Sequence, residues 1–145
     1  MNFKYKTLEE AENSRIKSPR DTIKYIQKYA KLKQEVFGVI TTDSNNIVTS
    51  VNVLFKGGVN SAQVDKKILF PYLCKKDAVA FVIFHNHPSG NTTPSEEDIR
   101  TTNAILNGAD LLGIELLDHI IIGQYNYHSF LEYGELGKNY KVAEA

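Results

Sequence analysis

Between positions 84 and 98 the chain reads FHNHPSGNTTPSEED: two histidines one residue apart, a Pro-Ser-Gly turn, then a serine leading into three carboxylates. In an extended chain, side chains two apart point the same way, so His85 and His87 aim both imidazoles at one point. Asp98 falls in the first turn of a helix opened by Ser95, and the intervening turn folds the chain back so that this carboxylate can reach the same point. Two imidazoles and a carboxylate can hold Zn2+, leaving its fourth tetrahedral position to water and making that water acidic near neutral pH. Hydrolysis also needs a base near the metal but not on it, and Glu35, at the head of the first expected strand, is the candidate. The same residues have an ordinary account. A histidine leaving a strand is most often a satisfied surface or half-buried residue, and Ser95 with Asp98 forms a capping box that many helices use without catalysis. The tripeptide HNH adds nothing, because the nucleases so named carry those residues well apart in sequence.

The elements that must position these residues are legible from periodicity. AVAFVIFH, ending at His85, is apolar without alternation and too short for a typical helix, which describes a strand covered on both faces. The segment from Ser95 to Gly113 carries an N-cap at Ser95, apolar residues Ile99, Ile105 or Leu106, Ala109 and Leu112 on one side, and a glycine stop. Upstream, Ser18, Pro19 and Asp21 signal the start of a helix expected over 19–33 after a loose N-terminus. EVFGVITTD and NIVTSVNVLF flank the turn cluster DSNN and predict an antiparallel hairpin. Val64, Ile68 and Tyr72 are spaced as in a helix, which Pro71 should kink or shorten. Gly57 and Gly58 are expected to permit a tight turn after the second strand. IELLDHIIIG and YNYHSFL predict two further strands, followed by a frayed tail from Gly134. Helices interspersed among strands, with one strand doubly covered, give a layered α/β sandwich.

A length of 145 residues fits one domain, residues 1–145 with a core over about 20–137, and usual proportions of apolar (42%) and charged (23%) residues exclude disordered and fibrous classes. Seventeen basic residues balance seventeen acidic ones, so no global charge draws the chain toward nucleic acid or an anionic membrane. A local patch is still possible: Lys24, Lys28 and Lys31 recur on one helical face with Arg20 nearby, although such runs usually mean a solvated surface. One cysteine, Cys74, excludes an intrachain disulfide and a cysteine zinc cluster; it is expected to be buried and suits a reducing cytoplasm. No apolar run approaches membrane-spanning length. His128 has no partner at ligand spacing and is expected to be structural, and Tyr125, Tyr127 and Phe130 to be packing residues. Asp118 and His119 are either an ordinary strand-end pair or groups that orient the ligands by hydrogen bonds.

EVF at 35–37, HNHPSG at 85–90, PSEED at 94–98 and LLDHIIIG at 116–123 resemble the RadC family, bacterial members of the JAB/MPN superfamily of zinc hydrolases with the JAMM signature. That signature is a distant glutamate, then His-x-His-Pro, then Ser-x-x-Asp, and each element has a counterpart here in the right order. The resemblance implies that His85, His87 and Asp98 ligate zinc, that Glu35 is the acid/base acting on the attacking water, and that Ser95 helps hold the developing oxyanion. It implies a three-layer α/β/α sandwich with a mixed sheet, like that of cytidine deaminases, and a metallopeptidase or isopeptidase acting on a peptide or protein substrate. Deaminase chemistry itself is not supported, because it requires a Pro-Cys-x-x-Cys stretch. An association with DNA repair, as an accessory protein or a metal-dependent nuclease, is the alternative. It is weakened by the balanced charge and by the expected lack of the helix-hairpin-helix region that many RadC proteins carry before this domain.

Overall fold

The computed structural model describes residues 7–57 and 64–137. Their order is α1 (Leu8–Asn13), α2 (Pro19–Ile26), a 3-10 turn (Gln27–Tyr29), β1 (Val36–Thr42), β2 (Val48–Lys56), α3 (Lys66–Lys75), β3 (Ala80–Asn86), α4 (Glu96–Leu112), β4 (Glu115–Ile122) and β5 (Tyr127–Ser129). The strands form one mixed sheet in the order β2-β1-β3-β4-β5. β1 is antiparallel to β2 and β3, β3 runs parallel to β4, and β5 returns antiparallel to β4.

β3 is the middle strand and every residue in it is buried, which is why its sequence shows no alternation. Alternation survives in what each residue touches. Phe81 and Ile83 pack with Leu69 and Leu73 of α3 and with Ile105 and Ala109 of α4, whereas Val82 and Phe84 pack with Ile26 and Ala30 on the α2 side. Helices therefore cover both faces, giving the three layers expected. Phe37 of β1 lies opposite His85, so the two share the α3/α4 face. Between β3 and β4 the parallel register slips by one: Phe81 pairs with Leu116 and Val82 with Asp118. This bulge at Leu117 turns His119 onto the α4 face beside Ile83, and Asp118 onto the other.

Several expectations are corrected. The helix at 19–33 ends at Ile26 and tightens into the 3-10 turn. The N-terminal stretch is not wholly loose: α1 is capped by the Thr7 side chain, and Arg15 bridges to Ile47. α3 continues through Pro71, which sits on the exposed side where the carbonyl freed in the preceding turn can meet water. Cys74 is exposed, because it follows Leu73 of the buried stripe and the helix rotates it outward. Tyr125 is 92% exposed at the tip of the β4–β5 turn, while Phe130 is fully buried. Leu112 is half-exposed, since the buried stripe of α4 is Asp98, Thr102, Ile105 and Ala109. Just past Gly134, residues 135–137 are pinned rather than frayed, and the rest of the tail lies outside the described residues: the Glu135 carboxylate meets His128 Nε2 at 2.5 Å and Leu136 packs on the core. Gly57 has φ +73°, as a tight turn requires, and Gly58 lies outside the described residues. Among the described residues no helix is long and apolar enough to cross a membrane.

Candidate metal centre

Three structural elements deliver the three donors. His85 is next to last in β3, on the α4 face, and His87 follows one residue past the strand, with its N–H donating to Ile122 O at 3.1 Å. The chain then turns through Pro88, Ser89 and Gly90, whose φ of +85° only glycine adopts without strain. This turn brings the Asn91 carbonyl within 2.7 Å of His87 Nδ1. Asp98 comes from the first turn of α4. Ser95 Oγ accepts from Asp98 N–H at 3.0 Å, and Asp98 Oδ2 accepts from Ser95 N–H at 2.9 Å. The capping box and the metal reading are thus the same feature: the reciprocal bonds that start α4 also fix the carboxylate facing the histidines.

The donor atoms converge. His85 Nε2 and His87 Nε2 are 3.0 Å apart, His85 Nε2 lies 3.5 Å from Asp98 Oδ1, and His87 Nε2 lies 3.6 Å from Asp98 Oδ2. Ligands held tetrahedrally around zinc at about 2.0–2.1 Å stand about 3.3–3.4 Å from one another, and the observed separations bracket that value. Among the described residues, these three are the group whose donor atoms could hold a metal ion, all within 4.8 Å of one another. Asp98 and His85 are both buried. Burial alone would raise the Asp98 pKa, but the bonds to His85 and His87 hold its carboxyl well below the usual carboxylate range. The contact with Asp98 raises His87 above its ordinary value against the cost of desolvation, with a smaller contribution from the charge on Glu35. Because Asn91 O can only accept, His87 carries its proton on Nδ1 when neutral and turns a lone pair to the centre. An anionic carboxylate and two imidazole nitrogens aimed at one point make a site compatible with a metal ion.

Glu35 stands beside this centre. It is half-buried and immediately precedes β1. The register between β1 and β3 ends with Phe37 opposite His85, two residues short of Glu35, and the charge of Glu35 acts on His87. Its segment is held by a residue the sequence did not flag, Asn86, which is fully buried between the two histidines but on the opposite face. Asn86 Oδ1 accepts from Val36 N–H at 2.7 Å, and its Nδ2 donates to Gln34 O at 3.0 Å and Leu32 O at 3.4 Å. The signal for it was available: an asparagine inside a fully buried strand must find partners, and only neighbouring backbone is in reach.

His119 does contact the histidine pair: its Nε2 lies 2.9 Å from His85 Nδ1 and its Nδ1 lies 2.6 Å from Thr102 Oγ1. Burial keeps His119 well below its ordinary pKa, so it is a neutral imidazole. Phe130 stacks on its ring at a centroid distance of 4.5 Å. Asp118, on the far face, accepts from Ser129 Oγ at 2.6 Å, His119 N–H at 2.7 Å and Leu131 N–H at 3.0 Å. It anchors the loop that carries Phe130. His128 is structural, stacked on Tyr133 and bonded to Glu135.

A mixed sheet covered by helices, with two histidines leaving its middle strand toward an aspartate at a helix start, is an α/β fold consistent with the JAB/MPN class. The RadC-like JAB domain family model matches residues 16–136. A UPF0758 protein of Staphylococcus aureus (strain bovine RF122 / ET3-1) is 42% identical over 132 residues, covering 89% of this chain and 58% of its own length. A UPF0758 protein of Clostridium tetani (strain Massachusetts / E88) is 40% identical over 130 residues, covering 89% and 57% respectively. The chain belongs to the RadC family, and it spans a little under three fifths of the length of these relatives.

Proposed function

We propose that this domain is a zinc-dependent hydrolase that cleaves a peptide or isopeptide amide in the cytoplasm. The observation that carries the proposal is the convergence of His85 Nε2, His87 Nε2 and the Asp98 carboxylate at 3.0–3.6 Å, with the charge of Glu35 acting on His87. Zinc bound to these donors supplies a Lewis acid that makes water acidic near neutral pH and polarises a carbonyl oxygen. Glu35 takes the proton of the attacking water as the new C–O bond forms and then delivers it to the leaving amine nitrogen, whereupon the amide C–N bond breaks. Asn86 holds the backbone on either side of Glu35, which fixes where that carboxylate stands. Ser95 Oγ accepts the helix-cap bond, leaving its hydroxyl proton to be donated to the carbonyl oxygen as negative charge develops there.

The test pairs metal content with turnover. Purified protein should contain about one zinc per chain and lose it in the H85A/H87A double variant; carefully purified wild type found free of metal would overturn the proposal. Within a panel of peptide, isopeptide and nucleic-acid substrates, chelator-sensitive cleavage of the amides is expected. Glu35→Gln should keep the zinc and abolish turnover, and a fully active variant would remove Glu35 from the assigned role.

A further inference from the structure

His85 can offer either ring nitrogen to the centre, and a chain of hydrogen bonds fixes which one. Thr102 Oγ1 lies 2.7 Å from the main-chain carbonyl of Asp98 and 2.6 Å from His119 Nδ1. A hydroxyl has one proton, and a carbonyl oxygen can only accept, so that proton goes to Asp98 O. Were it turned to His119 instead, two oxygen lone pairs would face each other at 2.7 Å in a fully buried setting. Thr102 Oγ1 must then accept from His119 Nδ1–H. The remaining nitrogen of His119, Nε2, is therefore a lone pair, and at 2.9 Å it accepts from His85 Nδ1–H. His85 is left with its Nε2 lone pair facing His87 and Asp98. The sequence of bonds runs from the backbone of Asp98 through two side chains to His85, so one member of the centre sets the tautomer of another.

We infer that His119, oriented by Thr102, is a positioning residue that commits His85 to the Nδ1–H form and so presents Nε2 to the cation. The inference rests on the metal reading proposed above. Most ligating histidines give their second N–H to a carboxylate, a carbonyl or a water, and loss of such a partner typically costs 10–100-fold in metal affinity. Here the acceptor is a second imidazole. It carries no charge, and its direction is decided by a carbonyl already engaged at the start of α4.

Two measurements test this, neither of them activity. Long-range proton–nitrogen NMR correlation on the 15N-labelled chain reads the tautomer of His85 directly, in both zinc-loaded and metal-free protein. A proton on Nδ1 is expected in both; a zinc-loaded sample with the proton on Nε2, or a metal-free sample whose Nδ1 carries none, overturns the inference. Zinc affinity, from competition with a chromophoric chelator, should fall 10–100-fold in Thr102→Val, which keeps the shape but removes the hydroxyl, and should return to near wild type in Thr102→Ser. His119→Gln, whose amide can accept from His85 and donate to Thr102, should retain most of the affinity. Zinc held as tightly by Thr102→Val as by wild type would overturn the inference, whatever that variant does to stability. A wild-type chain that took up no zinc would instead overturn the metal reading, and the position of the His85 proton would still decide this one.

Discussion

Asp118 carries a charge in a place that penalises it. Burial pushes its carboxyl up to about 6, against the three donors it accepts and with the help of nearby Glu132. In the window between its ordinary value of 3.8 and about 6, the folded chain holds a proton that the unfolded chain has released. Raising the pH through that window therefore destabilises the fold, by at most about 3 kcal/mol, and the penalty is complete above it. Asp118→Asn removes the charge and keeps the geometry: its Oδ1 can accept both backbone N–H groups while its amide donates to Ser129 Oγ. Urea unfolding from pH 4 to 7.5 should show the variant gaining on wild type up to about pH 6 and then holding level; a pH-independent difference would contradict this account. Asp118→Ala, which strands three buried donors, should cost of the order of 3 kcal/mol. Spacing marked His85, His87 and Asp98 because a strand and a helix start have fixed periodicities. It left Asp118 and His119 ambiguous, since adjacent strand residues normally face opposite ways and nothing local says which one meets the centre.

The elements were legible where a single periodicity ruled. β3 announced itself by unbroken apolarity, and α4 by Ser95 at its start and Gly113 at its end, where the backbone turns left-handed with φ +74°. The failures lie where a distant contact overrode local preference. α2 ends early although its amphipathic pattern continues, as the 3-10 turn places Ala30 in the core and Tyr29 against Phe84 at a centroid distance of 5.4 Å. Asn86 went unflagged because its three bonds all reach about fifty residues back along the chain. Its truncation belongs to this scale, since it ties the exit of β3 to the approach of β1. Asn86→Ala should cost about 1–3 kcal/mol, chiefly for the stranded Val36 N–H, visible as a lowered Tm. If Glu35 is the base, turnover should fall more than zinc affinity does. Equal losses would mean that the side chain merely supports the fold.

At the scale of the molecule, charge separates the two substrate classes. Seventeen positive and seventeen negative side chains leave no net basic charge, and Lys24 of α2 and Lys28 of the 3-10 turn lie over Tyr25 and Tyr29, each at 5.2 Å from the ring centroid. A mobility-shift titration with duplex DNA at low salt should show no retardation, whereas a shift that weakens steeply with added salt would favour the nucleic-acid alternative. The layered architecture followed from the alternation of strands and helices, yet the one-residue slip between β3 and β4 left no mark in composition or pattern. That slip decides which functional group backs His85. Paired without it, β4 would lay Asp118 against Ile83 and send His119 to the opposite layer, placing a second carboxylate behind His85 in place of a neutral ring. Removing Leu117 would shorten the strand and leave every downstream side chain on its present face. An added residue between Leu117 and His119 would exchange those faces, so the centre tolerates a change of chain length there in one direction only.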